Sequence, residues 1–149
     1  MKKILAALAL LFVATTASAL DFGVGLNRDF AGDNRNAYAL TLGQKFGKFG
    51  LQGGYENFSR GNDQSRWSLL GSYDVASLGK YGTFAVKGGG AYLNNQIGSD
   101  GYAMLAGLGY TIPITKQWAG TVDYRYQWGQ DRVKAFDGGT LGAGLKYSF

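Results

Sequence analysis

From residue 20 to the end this chain alternates. Leu20, Phe22, Val24 and Leu26 are apolar, while Asp21, Gly23, Gly25 and Asn27 between them are small or polar. The same parity runs through 38–42, 49–55, 67–75, 84–92, 102–112, 118–126 and 141–149. Side chains on an extended strand point to opposite faces in turn, so a period of two predicts a sheet with two unlike faces. No stretch from residue 20 onward keeps a helical period. The expected class is therefore all-β, with eight strands.

Breaks between the strands are of two kinds. Short ones fall near Gly47-Lys48, Ser77–Gly79 and Thr115-Lys116, and longer polar ones near 28–36, 59–65, 94–100 and 129–137. Three short and four longer connections in alternation describe an antiparallel, up-and-down order. Strands of about 9–11 residues suffice to cross a bilayer at a tilt. Pro113, the one proline, falls at a strand end, where a missing N–H does least harm.

The apolar face could point inward around a ligand, as in a soluble lipocalin-like barrel, or outward. Volume decides. Eight strands enclose an interior only just wide enough for side chains to fill it. The aromatic face is too bulky for that space, whereas the opposite face carries Gly23, Gly25, Gly54, Ser68, Ser72 and Gly107 among other small residues. An aromatic exterior needs lipid as its solvent. The aromatics also group toward strand ends, with Phe22, Phe49, Tyr73, Phe84 and Trp118 near the short turns. Tyr38, Tyr55, Phe58, Trp67, Trp128 and Phe136 lie near the long loops, and Tyr124 stands apart. Two girdles around an apolar band predict a transmembrane β-barrel, which a soluble β-sandwich does not explain. In lipid the sheet must close.

The first 19 residues read differently. Lys2 and Lys3 precede an apolar run over 4–14, and Ala17-Ser18-Ala19 follows. That is the order of a cleavable secretory signal peptide, and eleven apolar residues are too few for a spanning helix. Cleavage after Ala19, with Ala17 and Ala19 as the recognised small residues, leaves a barrel domain over 20–149 with formal charge +3. A charge so mild and mixed argues against nucleic acid. The chain has no cysteine, hence no disulfide framework and no N-terminal lipid anchor.

The inward parity also carries charge: Asp21, Glu56, Arg66, Asp74, Lys87, Asp123, Arg125 and Lys146. Four acids against four bases predict a paired network in the lumen, because buried charges persist only with partners. A polar conduction path is the alternative. Glu56 and Asp123 could serve as acid and base, but the chain has neither histidine nor cysteine to supply an activated nucleophile. No enzyme activity, cofactor or metal is expected.

Taken together, the mature chain resembles the small OmpA/OmpX-type outer-membrane barrels of Gram-negative bacteria, the outer membrane protein beta-barrel domain family. The most specific likeness is the ending, "GAGLKYSF". In that class the last strand carries an assembly signal, polar-x-Gly-x-x-aromatic-x-aromatic, read by the barrel-insertion machinery. Gly144, Tyr147 and Phe149 match it, and Gly142 stands where a polar residue is usual. The resemblance implies an outer-membrane location, handling by periplasmic chaperones, and a monomer with short turns in the periplasm and long loops outside. It also weighs against catalysis, since the small barrel enzymes (PagP palmitoyltransferases, PagL deacylases, omptin proteases) use a histidine. The implied role is structural or surface-interacting, with a small porin-like solute channel as the alternative. On that reading the loop residues Arg28, Arg35, Arg60, Arg132 and Lys134 are placed to meet phosphates of lipopolysaccharide and outer-membrane lipid.

Overall fold

The computed structural model describes residues 20–30, 34–59, 64–94, 100–129 and 137–149. Residues 1–19, with Ala17 and Ala19, lie outside these, as do Arg60, Arg132, Lys134 and Phe136. Eight strands follow in order: β1 (Leu20–Asp29), β2 (Arg35–Phe46), β3 (Phe49–Phe58), β4 (Ser65–Ser77), β5 (Thr83–Asn94), β6 (Gly101–Pro113), β7 (Trp118–Gly129) and β8 (Gly138–Ser148). Each pairs antiparallel with the next, and β8 returns to β1, so the barrel closes. Closure leaves no sheet edge, the condition for a sheet in hydrocarbon.

Several strands exceed the length needed to span. β4 and β6 have 13 residues each, and β2 begins at Arg35, inside the stretch expected to be loop. The alternation that marks a strand therefore persists beyond the apolar residues that reveal it. In β4 the register shifts between Asp74 and Ala76, with Val75 as the extra residue of a bulge. The three short connections are a tight turn at Gly47-Lys48, a 3-10 turn over Gly79–Tyr81, and residues 114–117.

Outside, the apolar residues are exposed, among them Leu108, Met104, Tyr102 and Phe149. Aromatics stack across neighbouring strands at both ends. Phe49 meets Tyr73 at 4.9 Å, Phe84 meets Tyr110 at 4.3 Å and Trp118 meets Tyr147 at 5.0 Å near the short turns. Tyr55 meets Trp67 at 4.6 Å and Tyr92 meets Tyr102 at 5.2 Å near the long loops. All five pairs sit directly opposite in the register. Such pairs contribute about 0.5–1.5 kcal/mol each beyond burial. Tyr124, which belongs to neither girdle, reaches toward Gly139 on β8: a Cβ there would lie 2.6 Å from its hydroxyl.

One aromatic was expected on the wrong face. Phe58 shares the parity of Glu56 and points into the barrel, where it is buried. Its place beside a long loop made it look like a girdle residue, but parity governs.

Candidate functional site

The lumen is where chemistry-bearing side chains converge, and glycine makes the room. Lys87, Gly107 and Arg125 lie opposite one another across β5, β6 and β7. A Cβ on Gly107 would come within 2.9 Å of Arg125 Cγ, and one on Gly109 within 2.6 Å of Lys87 Cε. Long cationic side chains thus lie over the bare backbone of the neighbouring strand. Gly142 does the same for Asn27 and Asp123.

These side chains form a connected belt. The Arg66 guanidinium, 1% exposed, donates to Glu56 Oε2 through Nε at 2.9 Å and also through Nη2. Its Nη1 donates to Gln127 Oε1 at 2.8 Å. The second Glu56 oxygen is met by Arg125 Nη1 at 2.8 Å. Arg125 Nε then lies 3.0 Å from Asp123 Oδ1, a close ionic contact without hydrogen-bond geometry. Lys87 Nζ stands 3.8 Å from the same oxygen. Glu56, 2% exposed, therefore sits between two guanidinium groups, and the arrangement crosses from β3 and β4 to β7.

The other sequence-selected charges pair elsewhere. Lys146 and Asp21 are 3.0 Å apart across the β1–β8 seam, where Ser148 also donates to Asp21. Asp74 pairs with Lys45 at 2.5 Å, and Lys45 was missed from the sequence although it shares the inward parity of Thr41 and Gly43. A third group near the long-loop end was also missed. Arg35 and Asp29 approach to 3.9 Å, Arg35 donates to Gln64, and the Arg35 and Arg66 guanidinium carbons lie over the Phe58 ring at 5.0 and 5.4 Å. Arg35 thus corrects the expectation that it faces lipid phosphates. It is the first residue of β2, on the inward face, and buried. Arg28, one position out of phase with Asp29, is exposed on the exterior.

Apolar residues complete the closure. Leu70, Ala91 and Leu105 cluster inside, and Leu93 packs with Ala103. Strict parity would have found all three leucines, which share the phase of Ser68, Ala91 and Ala103. From the belt toward the short turns the lumen opens into a polar cavity of about 110 Å³, lined by residues such as Thr41, Gln52, Ser68, Ser72 and Thr121. That is room for several waters. Among the described residues no group of three acids, histidines or cysteines is placed to hold a metal ion. The residues that match the expected assembly signal lie on β8 and just beyond it. Gly144 faces inward, a Cβ there meeting Val24 O at 2.6 Å. Tyr147 packs edge-on against Phe149 at 4.9 Å, and Phe149 N–H donates to Leu20 O.

No protein-family model matches the chain, and no curated protein does. Solved structures match its shape. The N-terminal β-barrel domain of Pseudomonas aeruginosa OprF superposes with a TM-score of 0.74 at 18% identity, covering 88% of this chain and 97% of that one. A designed transmembrane β-barrel gives 0.63 at 15%, covering 91% and 98%. Neisserial surface protein A gives 0.55 at 17%, covering 89% and 96%. The attachment invasion locus protein Ail of Yersinia pestis, in a phospholipid bilayer nanodisc, gives 0.57 at 14%, covering 89% and 99%. The chain shares the fold of these neighbours: it is a closed, eight-stranded, antiparallel up-and-down β-barrel with an apolar exterior, similar in shape to these membrane barrels.

Proposed function

We propose that the chain is exported by a signal peptide over 1–19, inserted into the outer membrane by the barrel-insertion machinery after passage on periplasmic chaperones, and acts there as a monomeric, non-catalytic surface barrel. The observation that carries this reading is the belt Arg66–Glu56–Arg125, buried across a lumen whose apolar wall faces outward. A lumen closed by paired charge leaves the long loops as the working surface. Glu56 has both oxygens engaged by guanidinium groups and is not free to shuttle a proton. Two fold neighbours carry surface and attachment in their names, which supports a role at the cell surface. The outward Arg28, with Arg60, Arg132 and Lys134, supplies donors for lipopolysaccharide phosphates.

A small solute channel is the second reading, favoured by the polar cavity below the belt. Planar-bilayer recording separates the two. The closed barrel gives no discrete conductance steps, and regular steps from the purified wild-type protein would replace it with the channel. Deleting the gene and measuring envelope permeability alongside surface adhesion then tests the surface role.

A further inference from the structure

Each of the three short connections carries one lysine and no acid: Lys48 beside Gly47, Lys80 in the 3-10 turn, and Lys116 between β6 and β7. All three are exposed. The acids nearest this rim are engaged inside, Asp74 with Lys45 and Asp21 with Lys146. Among the described residues no acid forms an ion pair with any of the three. The opposite end differs, since it carries an exposed acid, Asp100, which accepts a hydrogen bond from the Tyr92 hydroxyl, as well as the exposed Arg28.

The lysines are set among exposed apolar groups: Phe46 and Phe49 flank Lys48, Leu78 and Tyr81 flank Lys80, and Ile114 and Trp118 bracket Lys116. Lys80 Nζ lies 5.1 Å above the Tyr81 ring. Aromatic residues of this kind fix a barrel's height at the interface, and a lysine stem beside them carries its ammonium to the headgroup plane. Three positive charges without an ion-pair partner among the described residues are therefore held at the level of lipid phosphates, around the rim and not on one side.

We propose that this rim binds anionic phospholipid headgroups, of the phosphatidylglycerol class, in the leaflet that the short turns face. The proposal rests on the membrane-barrel reading above. A soluble acidic partner fits less well, because the flanking aromatics are covered by lipid and only the headgroup layer reaches the ammonium groups. Each lysine near an anionic surface favours association about fivefold, hence about a hundredfold for three.

Trp118, two residues from Lys116, is a built-in reporter. A W67F/W128F variant is placed in nanodiscs of phosphatidylcholine and phosphatidylglycerol, with one or the other brominated. Brominated phosphatidylglycerol is expected to quench Trp118 as if bound about fivefold more tightly than brominated phosphatidylcholine, with the preference falling as salt rises. In K48Q/K80Q/K116Q the preference at Trp118 disappears, and in W67F/W118F the signal of the remaining Trp128 is unchanged by that triple substitution. An embedded barrel without preference at Trp118 overturns the proposal. So does a preference at Trp118 that survives the triple substitution. Failure to enter nanodiscs at all overturns the membrane reading and the proposal with it.

Discussion

Two glycines on opposite faces of the barrel wall test whether the inward ones are required by volume. Gly107 on β6 faces the lumen, and a Cβ built there falls 2.1 Å from Tyr124 O and 2.8 Å from Arg125 Cα. Real Cβ atoms essentially never come within 3.0 Å of such neighbours, so Gly107→Ala must part β6 from β7 by about 1 Å. Paired strands sit about 4.8 Å apart and their N–H···O distances near 2.9 Å. An opening of that size breaks the hydrogen bonds on either side of residue 107. Two ladder bonds contribute about 1–3 kcal/mol in water and more where lipid offers no replacement. With the shift forced on Arg125, the substitution is expected to destabilise by about 3 kcal/mol or more. Gly88, opposite Ala106 on the lipid face, has nothing closer than Leu105 O at 3.8 Å. Gly88→Ala adds a methyl to lipid and restricts the unfolded chain, for a gain of about 0.5–1 kcal/mol. Urea unfolding in lipid vesicles, followed by tryptophan fluorescence and by the gel mobility of the unheated barrel, reads both. Values for the two variants within about 1 kcal/mol of each other would refute the volume argument.

Two further outcomes follow from the belt and the ending. Arg125→Ala leaves one oxygen of buried Glu56 without its partner and is expected to lower stability by about 3–5 kcal/mol. The double substitution with Glu56→Gln should recover part of that loss in the same unfolding assay, and no recovery would deny their coupling. Deleting Phe149 removes the residue that packs on Tyr147 and joins β8 to Leu20. Membrane-inserted protein, measured by heat-modifiable gel shift from isolated outer membranes, is expected to fall more than for deletion of any one loop residue.

Much of the barrel was legible because one rule, alternation, governs both faces. It placed all eight strands and assigned Asp21, Glu56, Arg66, Asp74, Lys87, Asp123, Arg125 and Lys146 to the lumen, where each now has an ion-pair partner. The failures came where position along the strand was allowed to outweigh parity. Phe58 and Arg35 stand at loop ends, yet each shares its phase with an inward neighbour, Glu56 and Ala37. Lys45 obeys the same parity, one residue from the end of β2. The pairings themselves were not legible. That Asp74 meets Lys45 on β2, two strands away, follows from barrel curvature and the length of a lysine, which no local pattern encodes.

A designed barrel matches this chain in shape as well as natural surface proteins do. The shared shape therefore carries no function by itself, and function must lie in what the shape does not require. Inward glycines, cross-strand aromatics and an apolar exterior are demanded by closure and by lipid. The charge belt is not, because a well-packed apolar plug of the same volume is often as stable as a buried ion-pair network. Neither is the placement of one lysine in every short turn, since a turn needs only its glycine or polar residues. Removing the belt in favour of leucine and methionine, with the glycines kept, separates the two demands. If the barrel still folds and inserts but loses its phenotype at the surface, the belt serves function. If instead it misfolds into several species, the belt selects the register of closure.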